Sequence, residues 1–473
     1  MDVNLSKAVR QNLLSLQSTA ASMAKTQNRL ATGLKVNSAL DNPTNFFTGA
    51  SLNSRAGDMS NLLDSMSNGI KTIEAADNGL TSITKTVESM QSTLRQARQD
   101  KSFKTASYGV DSAVTTGNIS FSGGAVGSTA VDVSLVKTEK TTAATVPPVV
   151  VGDNGKQFTV SDGTTATADI TLATGDTVDT IVGKINAATT TAGNGIVAKN
   201  DNGSIKLTSS AGAAITVANG TTTGGATVLG FGADASVAKT ADELVSEINT
   251  TTALDDKVTA SNDNGKLRIQ NQSTQDLTVD GVSSSGTTDG ASSGSTIKGN
   301  DTRKNLAKQF NELRDQLDKF SDDASFNGIN LLRGDKLKLT FNETGTSTID
   351  IQAKDANGAA TSVNNSTLGI TTVADTDFDS DTSLDAKLGT LSDALGTLRS
   401  QSSAFGSNLS IVQNRQDFTK SMINTLETGA ANLTLADTNE EAANLLALQT
   451  RQQLSSSALS MASQADQAVL RLF

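Results

Sequence analysis

Two aspartates in matching surroundings are the first candidates for chemistry. Asp201 lies in Asn200-Asp201-Asn202-Gly203 and Asp263 in Asn262-Asp263-Asn264-Gly265. A pair of carboxylates is the least that glycoside hydrolysis requires, one acting as acid and the other as base or nucleophile. Asn-Asp-Asn-Gly is also a strong signal for a tight hairpin turn, because Asn and Gly accept the positive φ such turns need. The turn reading is adopted for both. Arg333-Gly334-Asp335 has the sequence of an integrin-binding triplet, but its position after an Asn-Gly pair again reads as a turn. The 473 residues include no Cys and no His. That excludes a thiolate nucleophile, an imidazole base, a Ser-His-Asp triad, a His-Glu-x-x-His zinc helix and the usual Cys/His zinc site. Aromatic residues make up 3% of the chain, little with which to line an apolar pocket. The chain is therefore read as not an enzyme, with no catalytic residue, no cofactor and no metal.

Charge and hydropathy narrow the partners. Thirty-eight basic against 49 acidic residues leave a net charge of -11, which disfavours nucleic acid and anionic membrane. No stretch approaches the roughly 18 apolar residues of a membrane helix. The first residues, Met1-Asp2-Val3-Asn4-Leu5-Ser6-Lys7, lack the basic and apolar regions of a secretory signal peptide.

The elements around these residues fall into three zones. Residues 1–100 and 301–473 are rich in Leu, Asn, Ser and Gln, whereas 104–300 are rich in Thr, Gly, Ala, Val and Asp. The end zones carry helical seams. The first runs Val9, Leu13, Leu16, Ala20, Met23, Leu30 and Leu34, in alternating steps of 4 and 3 that pass through Gln27. Asn42-Pro43 reads as a helix cap and first helical residue. A second seam runs from Met59 to Leu94 through Asp77, and a third from Leu306 to Phe320. The longest starts after Thr382, a predicted N-cap, and runs from Leu384 through Ser402 to Leu433, a helix of about 75 Å. A last seam carries Leu454, Ala458, Met461, Ala465, Ala468 and Leu472, with Leu459 beside it. Many seam positions are Ala, Ser, Thr or Gln, so such helices bury little apolar area alone and depend on neighbours.

The middle zone reads as β structure with an internal repeat. Ile181-Val182-Gly183-Lys184-Ile185-Asn186 is answered by Leu244-Val245-Ser246-Glu247-Ile248-Asn249, and Ile215-Thr216-Val217 by Leu277-Thr278-Val279. Each unit reads as a short helix followed by a hairpin, over about 160–220 and 225–282.

Both ends resemble bacterial flagellin. The matching residues are Asn28-Arg29-Leu30-Ala31-Thr32-Gly33-Leu34-Lys35-Val36-Asn37-Ser38-Ala39, then Asn68-Gly69-Ile70 and Asp77-Asn78-Gly79-Leu80. Further on come Ser325-Phe326-Asn327-Gly328-Ile329-Asn330-Leu331-Leu332, Ser366-Thr367-Leu368-Gly369-Ile370, Leu409-Ser410-Ile411-Val412-Gln413-Asn414-Arg415 and the run from Glu440 to Phe473. The repeat around Ile185-Asn186 resembles a module inserted in flagellins and hook-associated proteins. The resemblance implies a mainly α fold. It is an elongated antiparallel helical rod, or coiled coil, with a β hairpin near 325–352 and an inserted α+β outer domain of small repeated modules. Residues 1–42 and 434–473 would form the inner core of a filament, 43–103 and 301–433 the rod, and 104–300 a variable surface domain leaving a helix–helix turn. It implies self-assembly through Val9, Leu13, Leu16, Met23, Leu30, Leu34, Leu454, Ala458, Leu459, Met461 and Leu472. It also implies export, unfolded, to an extracellular filament, and as partners further copies of the chain, the flagellar export apparatus with its chaperone, the filament cap and hook-associated proteins. A hook–filament junction protein is the alternative. The stretch of the family recognised by an innate immune receptor carries Arg and Leu where this chain has Ser92 and Gln96.

Overall fold

The structure is a computed structural model that describes residues 7–149 and 151–470. In chain order, α1 (Lys7–Thr32) and α2 (Pro43–Gln99) lead into β1 (Lys104–Val110), β2 (Asn118–Gly123), β3 (Gly127–Ser134), β4 (Val136–Thr141), β5 (Gln157–Ser161) and β6 (Ile170–Thr171). Then come α3 (Val178–Ala192), β7 (Ile196–Asp201), β8 (Ser204–Ser209), β9 (Thr216–Asn219), α4 (Gly225–Leu229) and β10 (Ala235–Ala238). They are followed by α5 (Ala241–Thr250), β11 (Val258–Asp263), β12 (Lys266–Asn271), β13 (Leu277–Asp280), β14 (Thr287–Thr288) and β15 (Ser295–Ile297). The chain closes with α6 (Asp301–Asp323), β16 (Leu337–Thr340), β17 (Thr348–Ile351), α7 (Asp381–Thr434) and α8 (Thr438–Leu470). It divides into two compact units. One is Met1–Ile83, Phe320–Thr367 and Thr397–Phe473; the other is Thr84–Lys319 and Leu368–Gly396.

In the first unit, α2 starts where Asn42 caps it: Asn45 N donates to Asn42 Oδ1 at 3.1 Å, and Pro43 is the first helical residue. The seam residues Met59, Met66, Ile70, Ile73, Leu80 and Ile83 are buried. Met59 packs with Leu426, Met422 and Ile423 of α7. Gln416 Nε2 donates to Ser67 Oγ at 2.9 Å, and Ser402 Oγ to Asp77 Oδ1 at 3.0 Å. Partner numbers fall on α7 as they rise on α2, so the two helices are antiparallel.

The Asn-Gly motifs of the sequence have separate jobs here. A Cβ on Gly79 would lie 2.6 Å from Ala324 Cβ, and one on Gly69 2.6 Å from Leu339 Cδ2. Gly69 admits β16, and Gly79 the segment around Ala324 and Leu332, against α2 at the expense of helix propensity. Asn327 and Gly328 take positive φ, of 51° and 80°, in a tight turn closed by Phe326 N to Ile329 O at 3.0 Å. Asn330 is buried. Its Nδ2 donates to Ser321 O and Asp322 O at the end of α6, while its Oδ1 accepts from Leu332 N and Arg333 N. Gly334, at φ 91°, ends that turn, so the Arg333-Gly334-Asp335 triplet is part of a cap.

In the second unit, Val87, Met90 and Leu94 of α2, Leu306, Phe310 and Leu317 of α6, and Leu384, Leu391 and Leu395 of α7 are buried. Phe310 meets Phe378 edge to face. The cap of α7 differs from the expectation. Ser383 N donates to Ser380 Oγ at 3.2 Å and the helix begins at Asp381, so the cap is Ser380 and not Thr382.

The insert holds two modules, one nested in the other. The inner module spans 136–238 and has its own core, including Phe158, Val160, Ile181, Ile185, Ile205 and Leu207. The outer module comprises 104–135 and 239–300, around Tyr108, Phe121, Leu244, Ile248, Leu267 and Val279. Their topologies correspond. β4 pairs with β8 as β1 pairs with β12, β5 with β9 as β2 with β13, and β5 with β6 as β2 with β3, all antiparallel. The helix–hairpin boundaries of about 160–220 and 225–282 therefore catch only part of each module. β1 and β4 join their hairpins by non-local pairing, which no local likeness announces.

The insert's two ends meet at a polar joint. Asn300 Nδ2 donates to Asp100 Oδ2 at 2.7 Å. Arg303, 1% exposed, sends Nη1 to Phe378 O and Asp379 O and Nη2 to Asp100 O and Asp381 Oδ1, with its guanidinium 4.9 Å from the centre of the Phe103 ring. Asp379 accepts from Ser273 Oγ and Thr274 N of the outer module.

Candidate functional site

The conspicuous unsatisfied surface belongs to α1 and α8. The two helices pack along each other within the first unit, and Arg29 Nη1 reaches Glu441 Oε1 at 3.0 Å, joining the end of one to the start of the other. They are therefore antiparallel. The connection is built from the Gly33-to-Ala39 motif. Gly33 ends α1 at φ 70°, Leu34 forms an antiparallel bridge with Leu435, and Lys35 N and Val36 N donate to Thr434 O. Ala436 N returns a bond to Gly33 O. Asp41 closes the loop: backbone N–H groups of Asn37 and Ser38 donate to its carboxylate and hold its pKa below the ordinary value.

The faces of this pair differ from the sequence seams. On α1 the residues turned inward are Val9, Asn12, Leu16, Thr19, Met23 and Thr26, in steps of 3, 4, 3, 4 and 3. Leu13 is 39% exposed, Leu14 66% and Leu30 37%. On α8, Glu441, Leu445, Leu448, Gln452, Ser455 and Leu459 are buried or half-buried. Leu446, Leu454 and Met461 are about two-thirds exposed. Val9 and Leu16, with Met23, Leu34, Ala458 and Leu459, thus sit inside or beside the contact, while Leu13, Leu30, Leu454 and Met461 face solvent. Leu472 lies outside the described residues, as does the side chain of Ala468. Leu14 and Leu446 belong to no sequence seam; only their type could have flagged them.

The inner stripe of α1 mixes Val9, Leu16 and Met23 with polar residues such as Thr19, whose Oγ1 donates back to Ser15 O at 2.8 Å. Leu14, Leu446, Leu454 and Met461 meanwhile stay about two-thirds exposed. That is more large apolar surface than a finished monomer surface usually shows. Asp201 and Asp263, in contrast, end strands beside turns with Asn202 at φ 55° and Asn264 at φ 51°. Asp263 Oδ2 accepts from Ser107 Oγ at 3.0 Å. Ser92 and Gln96 are both exposed on α2. Among the described residues no helix is long and apolar enough to cross a membrane.

Helical ends thus pair with each other on either side of a central β-rich region. Residues 3–115 match the family model of the bacterial flagellin N-terminal helical region, and residues 388–473 that of the bacterial flagellin C-terminal helical region. Flagellin FljK of Caulobacter vibrioides is 32% identical over 170 residues, which cover 36% of this chain and 59% of FljK. Flagellin FljM of the same organism is 31% identical over 171 residues, with the same shares. Flagellin A of Rhizobium meliloti is 39% identical over 90 residues, 19% of this chain and 23% of that protein. The chain thus spans 59% of the length of the Caulobacter relatives. Its two terminal regions are similar to the terminal helical regions of bacterial flagellins.

Proposed function

We propose that this chain is the structural subunit of a bacterial flagellar filament, self-assembling outside the cell into a helical tubular polymer used for swimming. The observation that carries the reading is the set of large apolar side chains that the paired termini leave exposed, Leu14, Leu446, Leu454 and Met461 most of all, with Leu13 and Leu30 exposed by more than a third. The apolar surface these side chains leave in water represents several kcal/mol of unrealised burial per subunit. Neighbouring copies of the same pair would cover them. Val9, Leu16, Met23, Leu34, Ala458 and Leu459 would hold the pair together, and Leu472 would extend it. Residues 1–42 and 434–473 then form the inner core, the helices of 43–103 and 301–433 an antiparallel rod, and 104–300 a surface decoration. The flagellar export apparatus and chaperone, the filament cap and the hook-associated proteins are the further partners. No catalytic role is assigned. The named relatives are flagellins, and this favours the filament over a hook–filament junction role.

The test is seeded polymerisation followed by electron microscopy. A chain in which a short Gly/Ser link joins Lys101 to Asp301 should still polymerise, because the insert's ends meet at Asp100 and Asn300. Leu454→Asp puts a charge among these exposed side chains without entering the α1–α8 contact, and should abolish filaments while the insert stays folded. Filaments from Leu454→Asp and none from the deletion would overturn the proposal.

A further inference from the structure

The repeated Ile-Asn pair does something specific in both modules. In each, the first strand after the helix is the last in its sheet: β7 in the order β10-β4-β8-β7, and β11 in the order β11-β12-β1-β14. An end strand leaves every second N–H and C=O without a strand partner, which is a template for pairing with another chain. On β7 those groups at mid-strand belong to Ala198. Asn186 on α3 takes both: Ala198 N donates to Asn186 Oδ1 at 2.7 Å, and Asn186 Nδ2 donates to Ala198 O at 2.9 Å. On β11, Asn249 of α5 takes Ala260 in the same way, at 2.8 and 2.9 Å.

The surrounding repeat completes the arrangement. Ile185 and Ile248 are fully buried and anchor each helix, so that the next residue faces the strand edge. The outward N–H groups at the strand starts are also used, Ile196 N by Asn194 Oδ1 and Val258 N by Leu254 O. At the other end Asn200 Nδ2 donates to Asp179 Oδ1 and Asn262 Nδ2 to Asp242 Oδ1, both at 2.6 Å, tying each strand to the first turn of its helix. A carboxamide offers one donor and one acceptor, the same set a neighbouring peptide unit would present. Asp would lack the donor, and Leu, of similar shape, would lack both.

We propose that Asn186 and Asn249 are edge locks: each occupies the strand-pairing positions of its module and stops another copy of this chain from adding a strand there. Any arrangement that brings identical inserts side by side raises that hazard, since the edges of two copies are the same sequence.

The experiment uses the full chain carrying Asn186→Leu, alone and together with Val197→Lys. Val197, 60% exposed on β7, is a position where a lysine obstructs strand addition without touching Ala198. Three readouts are taken: far-ultraviolet circular dichroism for folding, amide hydrogen exchange at Ala198, and light scattering at a concentration where the unaltered chain is monomeric. The expected result is a folded Asn186→Leu chain whose Ala198 amide exchanges about tenfold or more faster, which forms larger species, and which returns to monomer when Val197→Lys is added. A folded chain with fast Ala198 exchange and no larger species would overturn the proposal, because the free edge would then need no lock. So would larger species that persist with Val197→Lys. Loss of the inner module's fold in both variants would make Asn186 a structural brace instead.

Discussion

Ser402 Oγ donates to Asp77 Oδ1 at 3.0 Å across the α2–α7 contact, joining residues 325 positions apart. Each is a polar position in its helix's seam, and the structure places the two against each other. A single polar pair in a helical seam fixes register, because any slip leaves both groups facing apolar neighbours. A double-mutant cycle of Asp77→Ala and Ser402→Ala should give a coupling energy of about 1 kcal/mol in chemical denaturation. Strict additivity of the two single changes would show that the pair contributes nothing.

Gly79 makes the helix weaker in order to let another segment in. A Cβ there would meet Ala324 Cβ at 2.6 Å and Leu332 Cδ1 at 2.8 Å. Gly79→Val should therefore destabilise the chain by about 1–3 kcal/mol through overpacking, despite removing a helix glycine. Gly57, where an added Cβ would meet nothing within 4 Å, is the control. Gly57→Ala should stabilise by about 0.5–1 kcal/mol. Thermal unfolding of the two variants with opposite signs is the expected outcome.

The joint below the insert is pH-sensitive in a defined direction. Burial pushes the Asp379 carboxyl above its ordinary value of 3.8, and the bonds from Thr274 and Ser273 with the nearby Arg303 do not offset it. The folded state thus binds this proton more tightly than the unfolded state. The charged form costs stability at neutral pH, and that cost is relieved as pH falls through the raised folded pKa. Asp381 behaves oppositely: burial raises it, but bonds from Lys101 and Arg303 outweigh burial and hold it low. Its contribution persists above the unfolded value of 3.8 and is lost as pH falls through the still lower folded pKa. Measured by denaturation from neutrality down to about pH 4.5, the parent chain should gain stability relative to Asp379→Asn. A difference between the two that does not change with pH would refute this.

Ser92 and Gln96 lie exposed on α2, where the resemblance to receptor-recognised flagellins places Arg and Leu. Serine has neither the forked donor nor the long stem of arginine. We predict weak or no signalling through the flagellin-sensing innate receptor, and a gain with Ser92→Arg plus Gln96→Leu. A reporter-cell response from the unaltered chain equal to that of an agonist flagellin would count against it.

How much of this fold is legible in the residues alone depends on whether the signal is local. Helix starts such as Asn42-Pro43, the seams of α2 and α7, and the Asn-Gly turns at 202–203 and 264–265 all rest on interactions within a few residues, and they read directly from spacing. The absence of Cys and His settles the missing thiol and imidazole chemistry in the same direct way. Three features needed the tertiary structure. The nesting of one insert module in the other rests on β1 and β4 pairing with strands far along the chain. The edge-binding of Asn186 and Asn249 depends on a helix and a strand meeting at a set height. The facing of α1 is the most instructive. Two 3-4 seams share Val9, Leu16 and Met23 and differ in taking Leu13, Ala20 and Gln27 or, one residue earlier, Asn12, Thr19 and Thr26. Apolarity alone favours the first. The α8 partner takes the second, because a narrow helix contact covers one stripe and small polar residues fit it beside Leu16 and Met23, leaving Leu13 and Leu14 exposed.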